Sequence, residues 1–586
     1  MIPDDLIIRG GTVLNLEGRT LHAAEVLIRG GVITEVGAGP LRSPPGCPVL
    51  EAQGQLISPG FMDAHLHIES ALLSPQSFAR AALIHGTTAV FVDPHELANV
   101  LGELGVTLFL EQAKTLPMDL YVGIPSCVPA THMEDAGGSI TPENVRRLLK
   151  HPRVFGLAEM MNYPGILNGT GSAREKVALT LAAGKVVDGH APGLTGEALR
   201  KYISNGESDG QVRIQSDHEC TTVAEALEKR AAGMTLALRH GSASKDMPRL
   251  LEGLLEAGGS LEHCMLCSDD LDPAELLAEG HVDRIIRAAR EKFLCRGMDL
   301  QEATLEAIAL ATLAPARYFE PFFRREGLPL PGQVAPGFRA NLVLLDSWEA
   351  LRVKTVIHAG RVVFDESRGL APAPSKFNYA PYLRPLFLGR DYGAEDFLIR
   401  HQGPSGPVRV RVIGLTGGIQ TEARIQTVAG VHGEPLRHPE VATLAVMERH
   451  HGTGSYALGL VERCMVRGAV ASTVAHDSHN LIVMGVDEDA MAAAVRCMTE
   501  RGPGLVVAGE TLEHLSLPLG GLMSTAEIEE VVNDYGRLQA ALGHIGAPPG
   551  LFMKLGFLAL PVIPELRLTN RGLVDVRRFD FVSVAC

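Results

Sequence analysis

SPGFMDAHLHIES, residues 58–70, is an apolar run that ends in two histidines one residue apart. Proline and glycine precede it, and turn residues of that kind bound a strand. In an extended strand His65 and His67 project from the same face, so both can bind one ion. A lone His-x-His is weak evidence, and its weight depends on the strands that come after it in the chain.

From about residue 58 to 322 strand-like runs alternate with helix-like runs, the signal for βα units and a parallel sheet. Eight strand candidates succeed one another: GFMDAHLH, TTAVFVDP, DLYVGIPS, VFGLAEM, KVVDGHA, VRIQSDH, MTLALRH and EHCMLCSDD. Eight in succession predict a closed barrel whose active site lies at the carboxyl ends of the strands. Each is apolar through its body, and most end in His, Asp or Glu: His65 and His67, Asp93 and His95, Glu159, His190, Asp217 to Glu219, His240, and Asp269. Core packing alone predicts no such bias. Gathered around one ring, these residues form what a multi-ligand metal site requires.

Outward from the barrel, residues 1–57 show short apolar runs (DLIIRGGTVLNL, AEVLIRGGVITEVG) punctuated by Gly pairs, the pattern of small antiparallel strands. From Gly337, FRANLVLLD and then VKTVIHAGRVVF repeat that chemistry. The expected organisation is an α/β protein. A (β/α)8 TIM-like hydrolase barrel (58–322) is inserted in a small β-sandwich domain (1–57 and 323–375). An additional C-terminal α+β domain (376–586) opens on FNYAPYLRPLF and mixes strands such as NLIVMGV with helices such as STAEIEEVVNDYGRLQAALG.

Composition sets the outer limits. At 586 residues the chain exceeds what one core supports, and 46% hydrophobic with 21% charged residues describes a globular protein. A net charge of −15 argues against a nucleic-acid partner and points to a small substrate. The start, MIPDDLIIRG, is unlike a secretory signal, and no apolar run approaches the roughly 20 residues of a membrane span, so a cytoplasmic protein is expected. Nine scattered cysteines agree with a reducing compartment. Cys264 and Cys267 form a CxxC, but positions three apart on a strand face opposite ways and read as ordinary buried thiols. Lys185, at the opening of the fifth strand, reads as a structural or solvated lysine at the barrel's bottom.

The arrangement resembles the amidohydrolase superfamily over residues 1 to about 375. The resemblance implies that His65 and His67 bind one metal, that His190 and His218 bind the other, and that Asp269 completes the site while handling protons. Many members bridge the ions with a carboxylated lysine on the fourth strand. VFGLAEMMNYPG has no lysine, and Glu159 stands there, a carboxylate that can bridge as a carbamate does. FVDPHELANV, GLAEMMNYPGI, DGHAPGL, SDHE, HGTGSYALG and AHDSHN together look like the bacterial adenine deaminases, extending the resemblance over nearly the whole chain. It implies hydrolytic deamination of adenine to hypoxanthine and ammonia, a purine-salvage reaction, by a homodimer carrying two divalent ions. The donor set favours Mn2+ or Fe2+, with Zn2+ as the further candidate.

The remaining roles come from the chemistry. Attack at C6 needs an activated water and a proton for the neighbouring ring nitrogen. Asp269 is the expected proton acceptor for the water and Glu219 the candidate donor to the ring, unless Glu219 is a surface acid opening the next helix. His240 either contacts substrate or caps the site. Asp93, His95 and Glu96 form an auxiliary metal position, hydrogen-bond the substrate, or hold a DPHE turn. In the C-terminal domain Glu448 to Tyr456 (ERHHGTGSY) and His476 to Asn480 (HDSHN) carry more His than loops need. His476, Asp477 and His479 are expected to cover the barrel mouth, excluding water and leaving no room for ribose. Two alternatives stay open on the sequence: a cyclic-amide hydrolase of the dihydroorotase or hydantoinase type, and a non-catalytic scaffold on the same fold.

Overall fold

The computed structural model describes residues 5–258, 260–372, 377–416 and 420–586. The eight expected barrel strands are all present: Phe61–His67, Thr87–Val92, Asp119–Ile124, Val154–Met160, Val186–Gly189, Ser216–Asp217, Thr235–Arg239 and Cys264–Cys267. The first five pair in order and in parallel, as do the last three. The fifth and sixth are joined by the Gln215 amide on the Val187 carbonyl at 2.9 Å. Asp269–Asp270, just past the eighth strand, pairs with Leu66–His67 of the first and closes the ring.

Local chemistry explains several of these elements. Ser74 caps the helix Pro75–Leu83 by accepting the Ser77 amide at 3.2 Å, with proline at the first helical position. On the fourth strand a Cβ at Gly156 would stand 1.8 Å from the Val186 carbonyl oxygen, so glycine is what lets the fifth strand approach. Met62, Phe91, Tyr121, Phe155 and Met265 share one buried cluster with Phe319, Phe322 and Phe323, which fills the barrel beneath its polar mouth. Met265 and Cys267 lie in that cluster while Cys264 packs in the main core, so the CxxC thiols do face opposite ways. Lys185 is structural and buried, donating to the carbonyls of Val154 at 2.6 Å and His151 at 3.2 Å and pairing with Glu326 at 3.1 Å.

Strands from both ends of the insertion form one sheet, nine-stranded among the described residues, in which Leu56–Pro59 pairs antiparallel with Leu342–Leu345. The strands are hydrogen-bonded in one continuous path, and Ile8, Val26 and Ile28 share a core with Leu342, Leu344 and Ile357. The C-terminal region is built on a sheet, eight-stranded among the described residues, with the helices Glu488–Arg501 and Ile528–His544. It docks on the barrel through Asn480 on the Asp135 carbonyl at 2.8 Å and Thr569 on the Met133 carbonyl at 2.7 Å. Among the described residues no helix is long and apolar enough to cross a membrane.

Candidate metal centre and active site

The first strand does not alternate strictly. Met62 and Ala64 belong to the interior cluster, yet His65 and His67, of opposite parity, also face inward. A register shift against the second strand between Asp63 and Leu66 reconciles the two, a bulge that re-aims the side chains at the mouth. Asp63 accepts the Ser268 amide at 3.1 Å and so holds the end of the eighth strand beside the histidines.

Glu159 stands at the centre. One oxygen, Oε1, lies 3.7 Å from His67 Nε2 and 3.4 Å from His95 Nδ1, while Oε2 lies 2.7 Å from His190 Nδ1 and 3.0 Å from His218 Nε2. Asp269 Oδ1 is 3.3 Å from His67 Nε2 and 3.7 Å from His65 Nε2. The His65 ring stacks on His218 with centroids 4.1 Å apart. His67 Nδ1 donates to the Asp93 carbonyl at 3.0 Å, which leaves Nε2 free to ligate. Burial, aided by the neighbouring imidazoles of His218 and His67, drives the His65 pKa well below its usual value and keeps the ring neutral, the form that binds metal. Burial works against the Glu159 and Asp269 carboxylates, yet both are held below their usual range, Glu159 by His190 and His218, Asp269 by His67 and Arg239.

Residues 56–363 match the amidohydrolase family and residues 418–580 the adenine deaminase C-terminal domain. Curated relatives align end to end. The adenine deaminase of Desulfatibacillum aliphaticivorans is 38% identical, covering 100% of this chain and 97% of its own length. That of Methanothrix thermoacetophila is 39% identical, covering 99% of this chain and 97% of its own. The chain belongs to the adenine deaminase family. The amidohydrolase fold of this family binds divalent metal, and the donors present here fit such ions. His65 Nε2, His95 Nδ1 and both Asp93 oxygens are buried without a hydrogen-bond partner, and His65, His67, Asp93, His95, Glu159, His218 and Asp269 supply overlapping N/O ligand groups.

The other expected residues separate into those the fold gathers and one it does not. Asp93, His95 and Glu96 stand in the ring, and His476, Asp477 and His479 reach it from the C-terminal domain, with Asp477 Oδ1 4.0 Å from His95 Nε2. The Glu448 to Tyr456 loop supports them from behind. Glu448 accepts the amides of His451 at 2.7 Å and Thr453 at 2.9 Å, and His450 Nε2 donates to the Ser478 carbonyl at 2.7 Å. Glu219 lies 3.5 Å from His218 Nε2 and is gripped by Arg239. His240 stands apart. The charged groups acting on its ring are Arg284, Lys245 and Glu275, and burial ahead of these lowers its pKa to about 4.

Arg239 is the residue that sequence reasoning missed. Its guanidinium contacts both oxygens of Glu219 and, at 3.1 Å, Asp269 Oδ2. Strand parity carried the signal. Ala237 joins the interior cluster while Leu236 and Leu238 pack in the outer core, so Arg239 faces inward and His240, next in line, faces away.

Proposed function

We propose that the chain hydrolyses adenine to hypoxanthine and ammonia at the Glu159-centred site, using two divalent ions held by His65, His67, Glu159, His190, His218 and Asp269. The observation that carries the metal part is the single buried carboxylate with one oxygen toward each set of imidazoles. The substrate part is supported by the end-to-end similarity to curated adenine deaminases, C-terminal domain included. The N/O donor set favours Mn2+ or Fe2+ over Zn2+.

Bound divalent ions supply the Lewis acidity that makes water nucleophilic near neutral pH. Asp269 accepts one proton of the attacking water as the C–O bond forms at C6 and passes it to the departing amine, which leaves as ammonia. Glu219 protonates the adjacent ring nitrogen and recovers a proton from the new hydroxyl as the carbonyl forms. Arg239, bound to both carboxylates, sets their mutual orientation.

Metal-free protein reloaded separately with Mn2+, Fe2+ and Zn2+ should convert adenine to hypoxanthine with stoichiometric ammonia, fastest with Mn2+ or Fe2+, and should leave adenosine unchanged because the C-terminal domain closes over the mouth. Turnover that survives complete chelation would refute the metal-dependent reading. Absence of hypoxanthine with every ion would refute the substrate.

A further inference from the structure

The carboxylate of Glu96 is ringed by three imidazoles. His95 Nε2 lies 3.3 Å and His476 Nδ1 2.6 Å from Oε1, and His479 Nε2 contacts Oε2. All four residues are buried, and two of the rings belong to the C-terminal domain. These groups could hold an ion of their own or a hydrogen-bonded carboxylate, and the far nitrogens distinguish the cases. His479 Nδ1 accepts the Ala475 amide at 3.1 Å. Its proton therefore resides on Nε2, which donates to Glu96 and has no lone pair to offer an ion. Glu96 is a hydrogen-bonded hub.

His95 presents the opposite arrangement. Its Nε2 lies 3.3 Å from Glu96 Oε1, and its Nδ1 is buried with no hydrogen-bond partner. It faces Asp93 Oδ2 and Glu159 Oε1, each at 3.4 Å, and neither Asp93 oxygen has a hydrogen-bond donor. Two carboxylates and a ring nitrogen turned on one another out of water call for positive charge among them, a proton on Nδ1 in the metal-free protein or a metal cation in its place.

We propose that His95, together with Asp93, is a metal ligand of this centre, and that Glu96 is the positioning carboxylate that sets the His95 tautomer, held in turn by His476 and His479. A ligating histidine that donates its other N–H to a carboxylate is fixed in orientation and made more basic. The C-terminal domain thereby tunes the metal centre through hydrogen bonds, without itself contributing a ligand through His476 or His479. The neighbouring loop keeps that arm in place: Arg449 bonds the His479 carbonyl and, at 2.8 Å, that of Gly520, and the His476 ring stacks on Phe557 with centroids 4.4 Å apart.

The proposal rests on the two-metal reading of the Glu159 site, and the two fail differently: a full-length chain that takes up no divalent metal fails that reading, whereas normal uptake insensitive to these residues fails this one alone. Full-length protein, stripped of metal, is titrated with Mn2+ against a chromogenic chelator, and bound metal is counted by elemental analysis after desalting. His95→Asn should bind fewer equivalents than the wild type. Glu96→Gln should reach wild-type equivalents at saturation but with affinity about 10- to 100-fold weaker, while Glu96→Asp, which keeps the charge, recovers part of the loss. His476→Gln and His479→Gln should weaken affinity by smaller factors. Far-ultraviolet circular dichroism and melting of the metal-free forms check the fold, and Glu96→Asp serves in place of Glu96→Gln if the latter does not fold. Wild-type equivalents and affinity in folded His95→Asn, or unaltered affinity in the folded Glu96 variants, would overturn the proposal.

Discussion

Asp269 occupies a backbone region that L-residues rarely adopt, with φ of 60°. An unusual conformation of that kind costs of order 1–3 kcal/mol and persists where surrounding structure enforces it. Here Asp63, holding Ser268, and Arg239, holding Oδ2, supply the enforcement and turn Oδ1 toward His65 and His67. Asp269→Asn keeps the shape and an oxygen donor but cannot accept a proton. It should fold and retain most of its metal while kcat falls by about 10²–10⁴-fold, measured by product formation with metal content monitored in parallel. Arg239→Lys keeps the charge but cannot span Glu219 and Asp269 as a fork does. Its expected signature is normal metal content with kcat reduced by at least about 10-fold; wild-type turnover would remove Arg239 from the positioning of either carboxylate.

At the scale of elements, the site depends on how closely the fourth and fifth strands approach, because Glu159 is the last residue but one of the former and His190 comes directly after the latter. Gly156 permits that approach. A methyl group there has rigid backbone in its way, and overpacking of this kind costs typically about 1–3 kcal/mol, occasionally more. Gly156→Ala should therefore lower the melting temperature and also weaken metal binding, since the displacement moves Glu159 relative to His190. Lost stability with untouched metal affinity would show that the strain is absorbed below the mouth. The same element scale explains the CxxC and the Arg239–His240 pair, where parity along a strand, more than residue type, decides which side chain reaches the interior.

Across the whole molecule, the seam between barrel and C-terminal domain carries its own titration. Glu134, in the loop after the third barrel strand, is buried close to Asp477. Burial, reinforced by Asp477, pushes its pKa up to about 8. The unfolded chain ionises this group near about 4.3, so its contribution to stability is complete below that pH and is lost as pH rises toward 8. Glu134→Gln, neutral at every pH, should raise the melting temperature at pH 8, by an amount corresponding to on the order of a few kcal/mol, with the gain vanishing near pH 4.5. An equal shift at both pH values would assign the effect to packing instead of charge.

The order of strands and the polar character of their ends were written in local sequence. Periodicity, turn residues and the strand-end His, Asp and Glu are short-range features, so the eight-stranded barrel and most of the mouth were legible from SPGFMDAHLHIES outward. Even the substitution of Glu159 for a lysine could be read there, and with it a carboxylate at the centre. What tertiary structure alone decided lies in facing and partnership. The bulge between Asp63 and Leu66 that turns His65 and His67 inward exists only against the second strand. The choice of Arg239 over His240 depends on which face of the seventh strand meets the interior cluster. The meeting of Glu96 with His476 and His479 spans 380 and 383 residues of chain, a pairing that no local periodicity encodes because it arises when one domain docks on another.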